Sequence, residues 1–144
     1  MSELPELIEC DVLIIGGGIG GATTALQLAR DPALHIVVVT KAEDPHESNT
    51  YHAQGGIIYK GVEDSPEKLA HDLLHAGDHM NNPRAVQILA EEGPRLVRDL
   101  LIDTYRVPFT VDADSNLELT REAAHSVSRI LHANDSTGRA IQIS

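Results

Sequence analysis

The chain has 144 residues, of which 42% are hydrophobic and 23% charged, a composition typical of one globular domain with its own core. Its net charge of −11, with only 11 lysines and arginines, argues against a nucleic-acid surface, because phosphate backbones are bound by clustered basic side chains. Cys10 is the single cysteine and no run of 18 apolar residues occurs, so we expect no disulfide, no cysteine-bound metal cluster, no signal peptide and no membrane span. A cytoplasmic location, without nucleic-acid or membrane partners, is therefore expected.

A glycine-rich turn is the strongest pattern near the N-terminus. Residues 11–21 read D-V-L-I-I-G-G-G-I-G-G, which predicts a strand, a tight turn and the start of a helix. Gly16, Gly18 and Gly21 fit G-x-G-x-x-G, whose glycines make the turn, admit a pyrophosphate and let helix and strand pack closely. The helix N-terminus can then bind a diphosphate through N–H groups and its dipole, without a basic side chain. A turn that binds no ligand is the alternative.

A β-α-β unit is predicted around this turn. Its strands are the apolar runs Val12–Ile15 and Ile36–Val39, and its helix, Ala22–Arg30, ends at Asp31-Pro32 because proline disfavours a helical preceding residue. We expect Ile36–Val39 to be buried on both faces, as parallel strands usually are. Two strands cannot bury both faces of a doubly wound sheet, so the chain is expected to be an N-terminal fragment.

The second predicted strand is followed by two unusual features. Thr40-Lys41 stands where many dinucleotide-binding folds have an acidic residue for the ribose, so a plain NAD site is not favoured. The segment from Lys41 to Gly56 has no periodicity, contains Asp44-Pro45 and is polar. A long polar loop at the carboxyl end of a strand, beside the glycine turn, lies where open α/β sheets bind ligands.

The remainder is predicted to contain two capped helices, a hairpin and further helices. Ser65-Pro66 and Asn82-Pro83 each combine a capping side chain with proline at the first helical position. The other expected features are inward-facing Leu69 and Leu73, inward-facing Val86 and Leu89, a break or kink at Gly93-Pro94, a hairpin of Val107–Val111 and Leu117–Thr120 around residues 112–116, a helix including Ser126–His132, and a helix beginning after Thr137-Gly138.

Two patterns resemble metal sites, but neither is favoured as one. His71, His75 and His79 would share a helix face as zinc ligands, yet Gly77 interrupts the helix and a solvated face explains the histidines. Asp112–Asn116 begins like a calcium loop but lacks its later glycine and glutamate, so a polar hairpin turn is expected. No metal is predicted.

Several segments together resemble one flavoprotein family. They are Gly16–Gly21, Thr40-Lys41, Asn49–Ile57, Leu119–Ser126, Arg129–His132 and Asp135–Gly138. They resemble the L-aspartate oxidase branch of the succinate dehydrogenase and fumarate reductase flavoproteins. The resemblance implies an α/β, Rossmann-like FAD-binding domain, with residues 1–144 as its N-terminal part carrying added helices and a β-hairpin. It also implies FAD-dependent oxidation of L-aspartate to iminoaspartate in NAD biosynthesis, oxygen or fumarate as electron acceptor, and quinolinate synthase as a partner to consider.

The same resemblance implies roles for individual residues. The cofactor-binding set is Gly16, Gly17, Gly18, Ile19, Gly20 and Gly21 in the turn, Thr40 and Lys41 after the second strand, and Asn49, Thr50, Tyr51, His52, Ala53, Gln54, Gly55 and Gly56 in the loop. Glu122 would line the dicarboxylate pocket and His125 would lie toward the flavin, whereas the catalytic acid and base would lie beyond residue 144. From the residue pattern alone, the cluster of Glu122, His125, Arg121 and Arg129 is equally compatible with a solvated helix start.

Three alternatives to an aspartate oxidase remain open at this point. They are a succinate dehydrogenase or fumarate reductase flavoprotein subunit, a nucleotide-binding module without oxidase activity, and an NAD-dependent dehydrogenase domain. In the dehydrogenases and reductases, the position resembling Asn49 is the histidine bonded covalently to the flavin. Because Asn49 has no nucleophilic ring nitrogen and His52 is three residues away, noncovalent FAD is expected.

Overall fold

The computed structural model describes residues 7–144. The chain divides after Tyr51 into an N-terminal unit and a C-terminal unit that begins at His52. Each unit has its own secondary structure.

The N-terminal unit confirms the predicted β-α-β arrangement. It consists of β1 (Val12–Ile15), α1 (Ile19–Leu28) and β2 (Ile36–Val39). The two strands are parallel, with Val12 opposite Ile36 and Ile15 opposite Val39. The helix begins three residues earlier than predicted, because the last two glycines of the turn already have helical backbone. It ends before Asp31-Pro32, as expected.

The prediction that β2 is buried on both faces is wrong. Val38 and Val39 are exposed, and Ile15 in β1 is 82% exposed. The sheet of this unit has only two strands in the described part of the chain, and one helix packs on it. With so few partners, the apolar side chains of a parallel sheet remain accessible.

The C-terminal unit contains a small antiparallel sheet with helices around it. In chain order its elements are β3 (Ile57–Ile58), α2 (Pro66–Ala76), α3 (Pro83–Leu96), a π-helical segment (Val97–Thr104), β4 (Leu119–Thr120), β5 (Ile130–Leu131) and α4 (Thr137–Ile143). β5 lies in the centre, paired with β3 on one side and β4 on the other, so that Leu131 is opposite both Ile57 and Leu119. Tyr59, Val97, Val107, Phe109 and Leu131 form the buried core of this unit.

Both predicted helix starts are confirmed, but one inward-facing residue is not. Ser65 Oγ accepts a hydrogen bond from Lys68 N–H at 3.2 Å, and Asn82 Oδ1 caps α3 in the same way. Leu69 is buried as expected, whereas Leu89 is 47% exposed. In α3 the inward row is Val86 and Ala90, four residues apart, so Leu89 lies beside this row rather than on it.

The break expected at Gly93-Pro94 lies further along the chain. Helix α3 continues through Pro94 to Leu96, and the π-helical segment begins at the next residue. The π-helical turn is wider than an α-turn, because Tyr105 N–H donates to Leu100 O, five residues back, at 2.8 Å. Proline removes one hydrogen bond and crowds the turn before it, but α3 remains helical there, so the irregular segment follows Pro94 instead of lying at it.

The predicted hairpin is confirmed at its tip only, and the helix predicted at Ser126–His132 is wrong. Val111 pairs with Leu117, and the Asp112 carboxylate accepts N–H groups within the turn, as expected of a polar hairpin turn. Beyond the tip, β4 pairs with β5, which occupies part of the predicted helix. The apolar residues there are spaced for a helix, but strand partners on both sides determine the conformation. The helix expected after Thr137-Gly138 is confirmed as α4.

No helix within the described residues is long and apolar enough to cross a membrane.

Candidate functional site

The glycine turn between β1 and α1 requires glycine at two positions. Gly16 has a φ of +106°, in the left-handed region that favours glycine, and its N–H donates to Val39 O at 2.8 Å. A Cβ on Gly21 would lie 1.9 Å from Gly16 O. The turn is therefore tight enough that a side chain at Gly21 would collide with the backbone.

The residue after β2 lies next to this turn. A Cβ on Gly17 would lie 3.1 Å from Thr40 Cγ2 and 3.2 Å from Pro45 O. Thr40 Oγ donates to Ala42 O at 2.9 Å, while Lys41 is exposed. The structure thus brings Thr40 and the glycine turn together, as the carboxyl ends of two adjacent parallel strands require.

The first half of the polar loop folds against the start of α1. Ile19 N–H donates to Thr50 Oγ1 at 3.0 Å, and Tyr51 N–H donates to Ser48 Oγ at 3.1 Å. Gly18, the cap of α1, has no side chain, and the first turn contains no acidic residue. Ile19, Gly20, Lys41 and Asn49 are exposed.

These features fit a diphosphate group. The N–H groups in the first turn of a helix have no acceptor further back in the helix, and the dipole there attracts an anion. A Cβ on Gly20 would have no heavy atom within 4 Å, so the backbone is open to approach at that point. Thr50 accepts a hydrogen bond from the N–H of Ile19, whereas a Cβ on Gly16 or Gly20 would meet no heavy atom within 4 Å.

The second half of the loop is held by the C-terminal unit. A Cβ on Gly56 would lie 2.2 Å from Ile130 Cγ2 and 2.6 Å from Leu131 O, so the loop backbone packs directly on β5. Ala53 O accepts a hydrogen bond from Gly138 N–H at 2.9 Å, which ties the loop to the start of α4. His52, Ala53, Gln54 and Gly55 are exposed. The predicted loop residues therefore divide between two folding units.

Glu122 and His125 lie in an irregular segment between β4 and β5, not at a helix start. His125 N–H donates to Glu122 O at 3.0 Å, which closes a turn and brings the two residues together. The half-exposed Glu122 carboxylate is 3.5 Å from His132 Nε2. The His125 ring has a different partner, with Nδ1 at 3.1 Å from a guanidinium nitrogen of Arg129.

Arg129 is the centre of a buried ion network that the sequence did not reveal. Its side chain is fully buried. It forms a two-pronged pair with Asp64, with distances of 2.9 and 2.8 Å, and it donates to Asp72 Oδ2 at 2.7 Å. Ser126 donates both its N–H and its Oγ–H to that same Asp72 oxygen, each at 2.8 Å. This network attaches the Glu122–His125 turn to α2.

The position of Asp72 in the sequence could have predicted part of this network. It lies three residues after Leu69 and thus on the inner side of α2, where an ionised carboxylate must be paired. Burial alone would raise its pKa, but hydrogen bonds from Ser126 and the charge and hydrogen bond of Arg129 outweigh burial and lower the pKa to about 2. Asp64 stands in a loop, and nothing in its sequence context identifies it as a partner.

We expect the protein to lose stability at acid pH through Asp72. Because its folded pKa of about 2 lies below the ordinary 3.8, the ionised carboxylate contributes stability at higher pH that is lost as the pH falls through this range. The shift corresponds to about 2 kcal/mol. Ser126→Ala removes one hydrogen bond to Asp72 and should raise the folded pKa toward 3.8, so urea unfolding between about pH 5 and pH 2 should show a smaller loss that is complete at higher pH. Asp99→Asn, which removes an exposed pair with Arg95, should leave the profile unchanged.

The histidine pattern does not form a metal site in the described residues. His71 and His75 stack, with ring centroids 6.4 Å apart. His79 lies beyond the end of α2 at Gly77, with a φ of +58°. Within residues 7–144, no group of three histidine, cysteine, aspartate or glutamate side chains could hold a metal ion.

Comparison with known proteins identifies the kind of domain to which this geometry belongs. The family described as "FAD binding domain" matches residues 11–143, nearly the whole chain. The chain belongs to the FAD-binding domain family. Its cofactor is FAD, and the glycine turn that begins the matched region fits the diphosphate of that cofactor.

Relatives of this FAD-binding domain occur in much longer proteins. The chain is 44% identical to "L-aspartate oxidase" of Halobacterium salinarum, over 91% of this chain and 25% of that protein. It is 40% identical to "L-aspartate oxidase" of Clostridium acetobutylicum, over 93% of this chain and 30% of that protein. Among solved structures, "Mycobacterium smegmatis Sdh1 complex in the apo form" matches with a TM-score of 0.82 and 28% identity, over 93% of this chain and 23% of that one. The FAD-binding domain described here thus spans about a quarter of the length of such relatives.

Proposed function

We propose that the complete protein oxidises L-aspartate to iminoaspartate, with oxygen or fumarate as the electron acceptor. The observation that carries this proposal is the 44% identity to an L-aspartate oxidase over 91% of the chain. Residues 1–144 then form the N-terminal part of its FAD-binding domain, and the β-α-β unit begins a Rossmann-like sheet that further strands complete. When bound, FAD supplies the redox chemistry by accepting a hydride from the substrate.

The residues of this chain would hold the cofactor and select the substrate. The glycines of the turn would bind the diphosphate, Thr40-Lys41 would lie by the adenosine, and Asn49–Gly56 would contact the flavin. Glu122 would line the substrate pocket. A carboxylate attracts the ammonium group that aspartate has and succinate lacks, so Glu122 favours the amino acid.

Flavin reduction tests the proposed reaction. Under anaerobic conditions, aspartate should bleach the flavin of the complete protein, and succinate should not. Glu122→Gln should keep FAD but weaken selection of aspartate over succinate. Bleaching by succinate alone would instead identify a succinate dehydrogenase, and no bleaching by either substrate would favour a nucleotide-binding module without oxidase activity.

The second candidate function, a dehydrogenase flavoprotein subunit, rests on the structural similarity to the Sdh1 complex. The mode of flavin attachment separates it from the oxidase. Because Asn49 lacks a nucleophilic ring nitrogen, acid precipitation of the holoprotein should release yellow flavin into the supernatant. Flavin retained in a washed pellet would identify a covalent bond, for which His52, three residues from Asn49, is a candidate, and would contradict the noncovalent assignment.

We expect Gly18→Val to separate cofactor binding from folding. A Cβ on Gly18 would lie 3.3 Å from Thr50 Oγ1, which a small shift accommodates, so the fold should be largely kept. The same side chain would occupy space needed for close approach of the diphosphate. The flavin content of the purified complete protein, read from its visible absorbance, should therefore fall severalfold or more. Undiminished flavin would contradict the assignment of the diphosphate to this turn.

We also propose a cytoplasmic location and a contact with quinolinate synthase, which would receive the product. The contact rests on the proposed reaction, whose iminoaspartate product the partner would consume. Co-purification of the two tagged proteins, with an unrelated flavoprotein as the control, tests the contact.

A further inference from the structure

Each of the three nitrogens of the Arg129 guanidinium has a hydrogen-bond partner. Nε and NH2 donate to the two oxygens of Asp64, and NH1 donates to Asp72 at 2.7 Å and faces His125 Nδ1 at 3.1 Å. The side chain is fully buried, so water does not compete for these donors. The planar fork therefore sets the position of three other side chains at once.

This geometry determines which nitrogen of His125 carries the proton. A guanidinium has donors only and cannot be deprotonated in a protein, so the ring nitrogen that it meets must be an acceptor. Nδ1 is then unprotonated, and in the neutral ring the proton lies on Nε2. A proton on Nδ1 would place two donors face to face.

The backbone around His125 is fixed by the same network. Ser126, the next residue, donates twice to Asp72. On the other side, a Cβ on Gly61 would lie 2.2 Å from Ser128 O, so the chain just before Arg129 packs tightly on another segment. Because His125 N–H closes the turn to Glu122 O, these anchors also set the position of Glu122.

We propose that Arg129 is a positioning residue that holds His125 as its Nε2–H tautomer, so that His125 offers a hydrogen-bond donor beside Glu122. Asp64 and Asp72 hold the guanidinium in the required plane. The consequence for catalysis rests on the proposed aspartate oxidation, because Glu122 and His125 then lie at the substrate pocket. The tautomer itself does not depend on that reaction.

The tautomer can be measured by nitrogen NMR of the complete protein labelled with 15N-histidine, with His125→Gln used to assign the signal. In the wild type, Nδ1 of His125 should give the signal of an unprotonated, hydrogen-bonded nitrogen. Arg129→Lys keeps the charge but loses the planar fork, so the signal should move toward the average of two tautomers. Asp99→Asn, which removes an exposed ion pair with Arg95 outside this network, is the control and should not move it.

Two results would overturn the proposal. One is a proton on Nδ1 in the wild type, which remains decisive even if Arg129→Lys does not fold. The other is an unchanged Nδ1 signal in folded Arg129→Lys. If the complete protein oxidises aspartate, this variant should also lose about tenfold to a hundredfold in kcat/KM, as misplaced groups do. Absence of aspartate oxidation would contradict the proposed function but leave the tautomer assignment standing.

Discussion

Gly21→Ala is expected to disrupt the glycine turn and abolish flavin binding. The new Cβ would lie 1.9 Å from Gly16 O and 3.1 Å from Gly16 C, both backbone atoms that cannot rotate away. Either α1 must move off β1 or the turn must open, at a cost of about 3 kcal/mol. Both changes also displace the helix N-terminus from the position where it would meet a diphosphate.

Gly20→Ala provides a matched control one residue away. A Cβ on Gly20 has no heavy atom within 4 Å, and alanine is favoured over glycine inside a helix by about 1 kcal/mol. This variant should therefore fold at least as well as the wild type. The melting temperatures of the two variants should differ clearly, and equal values would contradict the close packing of the turn.

Gly56→Ala is the second substitution from which we expect a large effect. Its Cβ would lie 2.2 Å from Ile130 Cγ2, 2.6 Å from Leu131 O and 2.8 Å from His132 Cε1. Ile57, the next residue, pairs with Leu131, so relief of the clash would pull β3 away from the central strand. We expect a loss of about 3 kcal/mol in the free energy of unfolding, because the obstacle includes backbone.

The effect should extend to Glu122, whose carboxylate lies 3.5 Å from the ring of His132. In the complete protein, weaker binding of aspartate should accompany the lower stability of Gly56→Ala. Gly55→Ala is the control, because a Cβ at that position meets no heavy atom within 4 Å. Urea denaturation compares the stability of the two variants, and equal stability would contradict the packing of this loop on β5. The KM for aspartate measures the second effect in Gly56→Ala.

The parts of the fold that sequence predicted are those with a local cause. The β-α-β unit follows from two apolar runs and a glycine turn, and the starts of α2 and α3 follow from capping side chains directly before proline. Strand β5 has no such cause. Ile130 and Leu131 form a strand because β3 and β4 supply partners from distant parts of the chain, and their spacing alone equally suits a helix.

The residues of the candidate site also divide into those with a local cause and those that depend on distant parts of the chain. The glycines of the turn could be identified because each has a local geometric requirement, visible in Gly16 and Gly21. The pairs that Arg129 makes with Asp64 and Asp72 join residues 65 and 57 positions apart, and no pattern of local periodicity connects them. Only the position of Asp72 on the inner face of α2 indicated a buried partner.

The π-helical segment has a consequence for length variation among relatives. A π-turn contains more residues than an α-turn, so Val97–Thr104 holds surplus chain within a continuous helix. Deletion of a single exposed residue there, such as Asp103, can be absorbed by conversion of the segment to ordinary α-helix. Val97 would stay in the core, since it precedes the deletion. Deletion of one residue should therefore be tolerated here, although most helices cannot accommodate a deletion without rotating one face out of the core.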